Sequence, residues 1–139
     1  MIIIAPQAFE AMLEHARATF PEECCGLMVG RFGEAERHIV RVSRARNLNT
    51  ERAHDRFELD PADFLRVQRT LVDDEEIVGF YHSHPDHPPK PSPTDTARAF
   101  PVYSYIIIGV QHGRRTLARS WRYDEGRAAF TEEVLVVTD

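Results

Sequence analysis

The stretch EIVGFYHSHPDHPPKPSPTD, residues 76–95, predicts how the middle of this chain folds. Its first seven residues form an apolar run that is too short for a typical helix, which predicts a central strand ending at His82. Five prolines follow, and because proline continues neither a sheet ladder nor a helix interior, we expect a stiff loop. Ser92 before Pro93 then resembles the N-cap of a short helix that reaches about Phe100.

Alternating helix and strand patterns surround this stretch and predict one α/β domain over residues 1–139. Apolar residues recur at helical spacing in residues 9–20, and Asp60 before Pro61 opens a second helix that we expect to end near Asp73. The apolar face of that helix is predicted to consist of Phe64, Leu65, Leu71 and Val72. Further strands are predicted at 2–4, 25–32, 37–47, 105–110, 115–123 and 129–137. These elements indicate a mixed sheet flanked by helices.

The composition excludes several classes of protein. The net charge of -5 argues against the basic surface that nucleic-acid binding requires. No segment approaches the roughly 20 apolar residues that span a bilayer, and the first residues lack the basic segment of a signal peptide, so we expect a cytoplasmic location. The two cysteines, Cys24 and Cys25, are adjacent and therefore unsuited to a structural disulfide, which fits a reducing compartment. We expect both to be ordinary core or strand residues.

His82, His84 and Asp95 form the pattern that points to chemistry. One residue separates the two histidines, so both imidazoles point to the same side of an extended segment. Two neutral imidazoles and one carboxylate are a ligand set for catalytic zinc, which leaves a fourth position for a water with a pKa of about 7. The proline-rich loop would bring Asp95 back to the metal at a small entropic cost. This pattern predicts a zinc-dependent hydrolase.

Other interpretations of the same segment stay open at this point. The histidines could be polar residues at a strand end, and Asp95 could be an acidic residue in the first turn of a helix. His87 completes HxHxxH, so that a three-histidine site is chemically possible. Asp86 could orient a ligand histidine.

Hydrolysis of an amide also needs a base that takes a proton from water and returns it to the leaving amine. Glu22 and Glu23 are candidates because they precede the strand that begins near Cys24. If that strand is the antiparallel neighbour of the strand ending at His82, the start of one lies beside the end of the other. A glutamate would then reach the metal, whereas parallel strands would separate them.

The segment HSHPDHPPKPSPTD resembles the HxHP, six residues, SxxD signature of the JAMM (MPN+) metalloproteases, and ECCGLMVG resembles their upstream ExCGLLxG segment. The order of elements is similar over essentially the whole chain. The resemblance implies a cytidine-deaminase-like α/β fold with zinc on His82, His84 and Asp95. It makes Glu23 the catalytic glutamate and implies that the Ser92 hydroxyl stabilises the developing oxyanion.

Members of this family cleave peptide or isopeptide bonds after the tails of ubiquitin-like proteins. The compact size resembles bacterial and archaeal members, which implies a ubiquitin-like sulfur carrier with a Gly-Gly-type tail as the protein substrate. A non-catalytic MPN-like interaction module is the alternative. The sequence leaves open the released group, peptide or isopeptide preference, the oligomeric state, and the roles of Cys24, Cys25 and His87.

Overall fold

A mixed eight-stranded sheet is the centre of the computed structural model, which describes residues 1–138. The strands are β1 Ile2–Ile4, β2 Cys25–Phe32, β3 Arg37–Ala45, β4 Glu76–Pro85, β5 Ser104–Gln111, β6 Arg115–Asp124, β7 Ala129–Glu133 and β8 Leu135–Val137. They lie in the order β7-β6-β5-β4-β2-β3-β1-β8, and three neighbouring pairs are parallel: β4 with β5, β1 with β3, and β1 with β8. The predicted α/β fold with a mixed sheet is confirmed. Asp139, the last residue of the predicted domain, lies outside the described residues.

Helices flank the sheet, and each of them begins with a proline. Their bounds are α1 Pro6–Thr19, α2 Pro61–Gln68 and α3 Pro93–Arg98. Proline suits the first helical position because its φ is already helical and the N–H that it lacks would have no partner there. Asp60 caps α2 as predicted, since its carboxylate accepts a hydrogen bond from the N–H of Ala62. Within residues 1–138, none of the helices has the length and apolar character that a membrane crossing requires.

The two faces of the sheet carry separate apolar clusters. The larger cluster lies under α1 and includes Ile2, Ile4, Met12, Met28, Val78, Tyr81, Ile106 and Ile108. The smaller one lies under α2 and consists of Leu27, Val29, Val67 and Ile77. Because successive side chains of a strand alternate between faces, Tyr81 points toward α1 and His82 points to the opposite face. Gly26 leaves room for Tyr81, since a Cβ at Gly26 would lie 2.2 Å from the Tyr81 ring.

The second helix is shorter than its sequence pattern predicts. It ends at Gln68 rather than near Asp73, and the hydroxyl of Thr70 donates to the carbonyl of Val67 at 2.6 Å. Asp73 has a φ of 50°, which is incompatible with a continuing helix. Of the four residues predicted for its apolar face, Phe64 packs on the smaller cluster and Leu71 does so from beyond the helix, whereas Leu65 and Val72 are exposed. Val67 is the buried residue of the helix itself.

Two strands also differ from expectation. β4 does not end at His82 but runs through Pro85. Its pairing with β2 stops at the Cys25–His82 pair, whereas its pairing with β5 continues to the Pro85–Val110 pair. The single strand predicted at 129–137 is divided at Val134. Its first half pairs with β6 and its second half with β1, so the two edges of the sheet meet at this residue. The N–H of Ile2 donates to the Val134 carbonyl at 2.9 Å and closes this junction.

Candidate metal centre and active site

Three potential metal-binding atoms converge at the end of β4. The Nε2 atom of His82 lies 3.2 Å from Nε2 of His84 and 3.3 Å from Oδ2 of Asp95. The distance from Nε2 of His84 to the same Asp95 oxygen is 3.2 Å. The histidines meet because alternate residues of β4 point to one side, and Asp95 reaches them from the first turn of α3. The structure therefore brings together all three predicted ligands.

This arrangement fits a metal cation. Donors about 2.0–2.1 Å from a tetrahedral ion are about 3.3 Å apart, which is close to the separations of these three atoms. Nδ1 of His84 lies 2.9 Å from the carbonyl oxygen of Pro88. Since a carbonyl only accepts, Nδ1 carries the proton, and the lone pair of Nε2 faces the centre of the cluster. The donor set of two imidazoles and a carboxylate suits zinc among the common biological cations.

Burial and mutual contacts shift the titration of these groups. Burial lowers the pKa of the His82 imidazole below its ordinary value. Burial also opposes the charged form of His84, but hydrogen bonds to Asp95 and to the Pro88 carbonyl outweigh it and raise the His84 pKa. The burial of Asp95 would raise its pKa, yet the two imidazoles and the N–H of Ser92 hold that pKa well below its usual range. Asp95 is therefore a carboxylate at neutral pH.

Glu23 lies beside this cluster, whereas Glu22 is exposed. A carboxylate oxygen of Glu23 and the ring nitrogens of His82 and His84 all lie within 4.8 Å of one another. β2 and β4 are antiparallel neighbours with Cys25 opposite His82, which is the arrangement that the sequence argument requires. Burial raises the pKa of Glu23 to about 8, with His84 opposing this shift and the Asp95 carboxylate adding to it.

Ser92 caps α3 and also lines a cavity beside the cluster. Its Oγ accepts the N–H of Asp95 at 3.0 Å, and Oδ2 of Asp95 accepts the N–H of Ser92 at 2.9 Å, which completes a capping box. Because Oγ acts as an acceptor in this pair, its own proton is free to point into the neighbouring cavity. That cavity has a volume of about 50 Å³ and is also lined by Glu23, His82 and Asp95.

The segment between β3 and α2 supplies neighbours that the sequence did not identify. The Phe57 ring stacks on the His82 ring with centroids 4.4 Å apart. The side-chain amide of Asn47 donates to the Glu23 carbonyl at 3.2 Å and to the Arg56 carbonyl at 3.0 Å. Phe57 and Arg56 lie in a segment without helix or strand periodicity. Asn47 is the last residue of the strand predicted at 37–47, which ends at Ala45 in the structure, so the sequence pattern did not indicate these contacts. Among the described residues, Nδ1 of His82 is buried without a hydrogen-bond partner, and the Phe57 ring covers one face of this imidazole.

The remaining polar residues of the loop have other contacts. His87 is exposed and is not part of the three-atom cluster. The suggestion that Asp86 orients a ligand histidine is wrong, because Asp86 accepts the N–H of His112 at 2.7 Å and the Pro88 carbonyl orients His84 instead. The backbone of the loop is also held from β6, where the indole N–H of the half-buried Trp121 donates to the Pro89 carbonyl at 3.0 Å.

Cys24 and Cys25 are buried free thiols of the sheet region, as expected. Burial raises the pKa of Cys24 to about 11 and that of Cys25 to about 12. Both are therefore unreactive thiols at neutral pH rather than nucleophiles.

Comparison with known proteins places this site in a family. A family model described as prokaryotic homologues of the JAB domain matches residues 5–124. A CysO-cysteine peptidase from Mycobacterium tuberculosis is 34% identical, with 100% of this chain and 92% of the relative covered. A desampylase from Haloferax volcanii is 35% identical, with 89% of this chain and 90% of the relative covered.

A solved structure gives the same result for the fold. A protein from Desulfitobacterium hafniense, determined in solution, superposes with a TM-score of 0.87 at 30% identity and covers 100% of this chain and 94% of its own. The family match extends from the first helix to the end of β6, so it includes every residue of the site described above. The chain belongs to the prokaryotic JAB-domain family of JAMM proteins.

Proposed function

We propose that this protein is a zinc-dependent peptidase that cleaves after the Gly-Gly-type tail of a ubiquitin-like sulfur-carrier protein. The observation that carries this proposal is the convergence of His82, His84 and Asp95 within 3.2–3.3 Å, beside Glu23 and Ser92 on one cavity. The names of the mycobacterial and haloarchaeal relatives, a CysO-cysteine peptidase and a desampylase, support a substrate of this class.

In this proposal each residue has one role. His82, His84 and Asp95 hold the metal, which when bound supplies Lewis acidity and lowers the pKa of a water to about 7. Glu23 takes the proton of the attacking water and passes it to the leaving amine nitrogen, so that water is added across the C–N bond. The free hydroxyl proton of Ser92 donates to the carbonyl oxygen as negative charge develops there.

The cavities suggest why a glycine-rich tail would be selected. The cavity beside the proposed ligands has a volume of only about 50 Å³, so it admits a chain without side chains more readily than a bulky one. It shares Phe57, Arg98 and Tyr105 with an apolar groove of about 210 Å³. We assign the substrate tail to this groove, which lies over the central strands β4 and β5 rather than at an edge of the sheet.

A non-catalytic MPN-like interaction module is the alternative function. All five proposed site residues are present and lie together, which favours the enzyme, because an interaction surface has no need of this constellation. We also propose that the fold is cytidine-deaminase-like and that the protein is cytoplasmic.

The decisive experiment uses purified full-length protein and a ubiquitin-like sulfur carrier that extends beyond its Gly-Gly end. We expect mass spectrometry to show cleavage after the second glycine, loss of cleavage with a chelator, and its return with stoichiometric zinc. Cleavage that persists in the metal-free protein would overturn the proposed mechanism. A zinc-loaded protein that binds the carrier without cleaving it would instead support the interaction module.

A further inference from the structure

A second groove, distinct from the apolar groove, also borders the proposed catalytic residues, and charged side chains line it. It has a volume of about 450 Å³ and shares Glu23 and Ser92 with the small cavity, while His84 adds to its wall. Arg56 and Lys90 line the same groove, which we call the cationic groove. The proposed metal centre thus lies between an apolar groove and a cationic one.

Neither cation of this groove forms an ion pair with a residue that the structure describes. Among residues 1–138, no ion pair includes Arg56 or Lys90. Asp55 also lines the groove, but its carboxylate is paired with the guanidinium of Arg52. Lys90 is the sole lysine in a chain with 17 basic residues. The groove therefore carries two cations that form no ion pair within residues 1–138, beside the carboxyl groups of Glu23 and Asp55.

Contacts within the chain hold Arg56 in position relative to Glu23. The Arg56 guanidinium donates to the hydroxyl of Thr94 on α3, next to the proposed ligand Asp95. The amide of Asn47 donates both to the Arg56 carbonyl and to the Glu23 carbonyl. The backbone of the arginine and the backbone of the proposed base are thereby connected through the side chain of Asn47.

The position of Glu23 indicates which groove binds the carrier tail and which groove binds the leaving group. A general acid must reach the leaving nitrogen, and Glu23 lines the cationic groove but not the apolar groove. The leaving group therefore occupies the cationic groove, and the carrier tail occupies the apolar one.

We propose that Arg56 and Lys90 bind the free α-carboxylate of the leaving group, an inference that rests on the proposed function. The protein then removes a C-terminal amino acid from the carrier in preference to releasing the side chain of a lysine. An α-carboxylate is one carbon from the leaving nitrogen, where a guanidinium and an ammonium can bind it as a charge-assisted pair. A lysine side chain has no anion near its nitrogen, and its aliphatic carbons gain nothing from these two cations.

The test compares three substrates built on the same ubiquitin-like carrier, ending in Gly-Gly. The first carries one additional alanine with a free carboxylate, and the second carries the same alanine as its amide. The third is joined through an isopeptide bond to the lysine of a short peptide. We expect kcat/KM for the acid to exceed that for the amide and the isopeptide by about tenfold or more, a preference that high salt reduces.

Variants assign this preference to the two cations. Arg56→Gln combined with Lys90→Gln should bring the ratio of acid to amide close to one. Arg56→Lys and Lys90→Arg, which keep the charges, should retain most of it. Arg69→Gln is the matched control, because Arg69 is exposed directly after the end of α2 and lines neither groove. The ratio of the kcat/KM values for two substrates does not depend on the fraction of protein that is folded. A loss of stability therefore cannot produce the same result.

The outcomes separate this inference from the proposed function. Chelator-sensitive cleavage of acid and amide at equal rates, or faster cleavage of the isopeptide, would overturn the carboxylate subsite and leave the proposed function intact. A preference for the acid that survives in the double variant would overturn the assignment to Arg56 and Lys90. Absence of metal-dependent cleavage of all three substrates would overturn the proposed function and this inference with it.

Discussion

The hydroxyl of Ser83 accepts a hydrogen bond of 2.8 Å from the backbone N–H of Cys24. The N–H of Ser83 donates in turn to the Cys24 carbonyl at 3.1 Å, so the two residues join β4 to the start of β2. Ser83 lies between His82 and His84, and Cys24 follows Glu23 directly. This pair of hydrogen bonds therefore sets the position of the proposed base relative to the proposed ligands.

Replacement of Ser83 by alanine should reduce activity more than it reduces metal content. The Cys24 N–H would lose its partner in a fully buried position, which costs about 1 to 3 kcal/mol in the free energy of unfolding. The shifted base should lower kcat about tenfold or more, since small displacements of positioned groups are costly in catalysis. Urea unfolding, metal analysis and steady-state kinetics measure the three quantities separately.

Ser120→Ala is the matched control for this substitution. Ser120 is also a fully buried strand serine, and its hydroxyl donates to Glu133 at 3.0 Å on the edge of the sheet. We expect a comparable loss of stability with unchanged kcat. If Ser83→Ala behaves in the same way as Ser120→Ala, the positioning role of Ser83 is wrong.

Two isosteric substitutions separate the proposed base from the proposed ligands. Glu23→Gln should keep stoichiometric zinc but lose turnover by at least about a hundredfold, because an amide cannot accept the proton of water. Asp95→Asn should weaken zinc binding itself, since it removes an anionic ligand. Metal analysis after gel filtration and kinetics at saturating zinc test both. Glu22→Gln, on the exposed neighbour, is the control, and full activity of Glu23→Gln would refute the assignment of the base.

Much of this site could be predicted because its chemistry is local in sequence. His82 and His84 occupy alternate positions of one strand, so their common direction follows from strand geometry alone. The capping pattern of Ser92 and Asp95 is equally local, since it depends on three residues of spacing. The place of Glu23 required one further condition, antiparallel pairing of β2 with β4, and the structure meets it.

The unpredicted parts depend on contacts between distant segments. Phe57 and Arg56 belong to a stretch with no periodic pattern, and the strand pattern through Asn47 gives no signal for its hydrogen bonds. The partners of these residues in β4, in α3 and just before β2 are far away in sequence. The division of the last strand at Val134 follows from the meeting of the sheet edges, which is a property of the whole sheet. Local patterns identify elements and motifs, whereas tertiary packing decides where an element ends and which loop residue contacts a site.

Phe57 gives a prediction about metal affinity. Its ring stacks on His82, whose Nδ1 lacks a hydrogen-bond partner among the described residues. Phe57→Ala should therefore leave that imidazole less constrained. We expect zinc binding to weaken by about tenfold, because loss of a residue that holds a metal ligand in place costs about 10- to 100-fold in affinity. Competition with a chromophoric chelator measures the affinity. Phe57→Tyr keeps the stacked ring and should bind zinc normally, and equal affinities for the alanine variant and the unmodified protein would contradict this role.

His15 on α1 packs against β4 from the face opposite the metal centre. Its Nδ1 lies 2.7 Å from the hydroxyl of Tyr81. Burial, followed by the positive charge of Arg44, lowers the pKa of His15 from 6.5 to about 4. The folded protein thus keeps the His15 imidazole neutral down to about pH 4, whereas in the unfolded chain this imidazole takes up a proton near pH 6.5.

Stability should therefore fall as the pH is lowered from 6.5 toward 4, and the His15 contribution should be fully present above 6.5. We expect a contribution of about 1 to 2 kcal/mol after allowance for solvent screening. The measurement is urea unfolding of the metal-free protein at several pH values, with His15→Gln as the comparison. Glutamine can bond to Tyr81 but does not titrate, so the difference in free energy of unfolding between the two proteins should change over this range. A constant difference would show that His15 does not account for the loss.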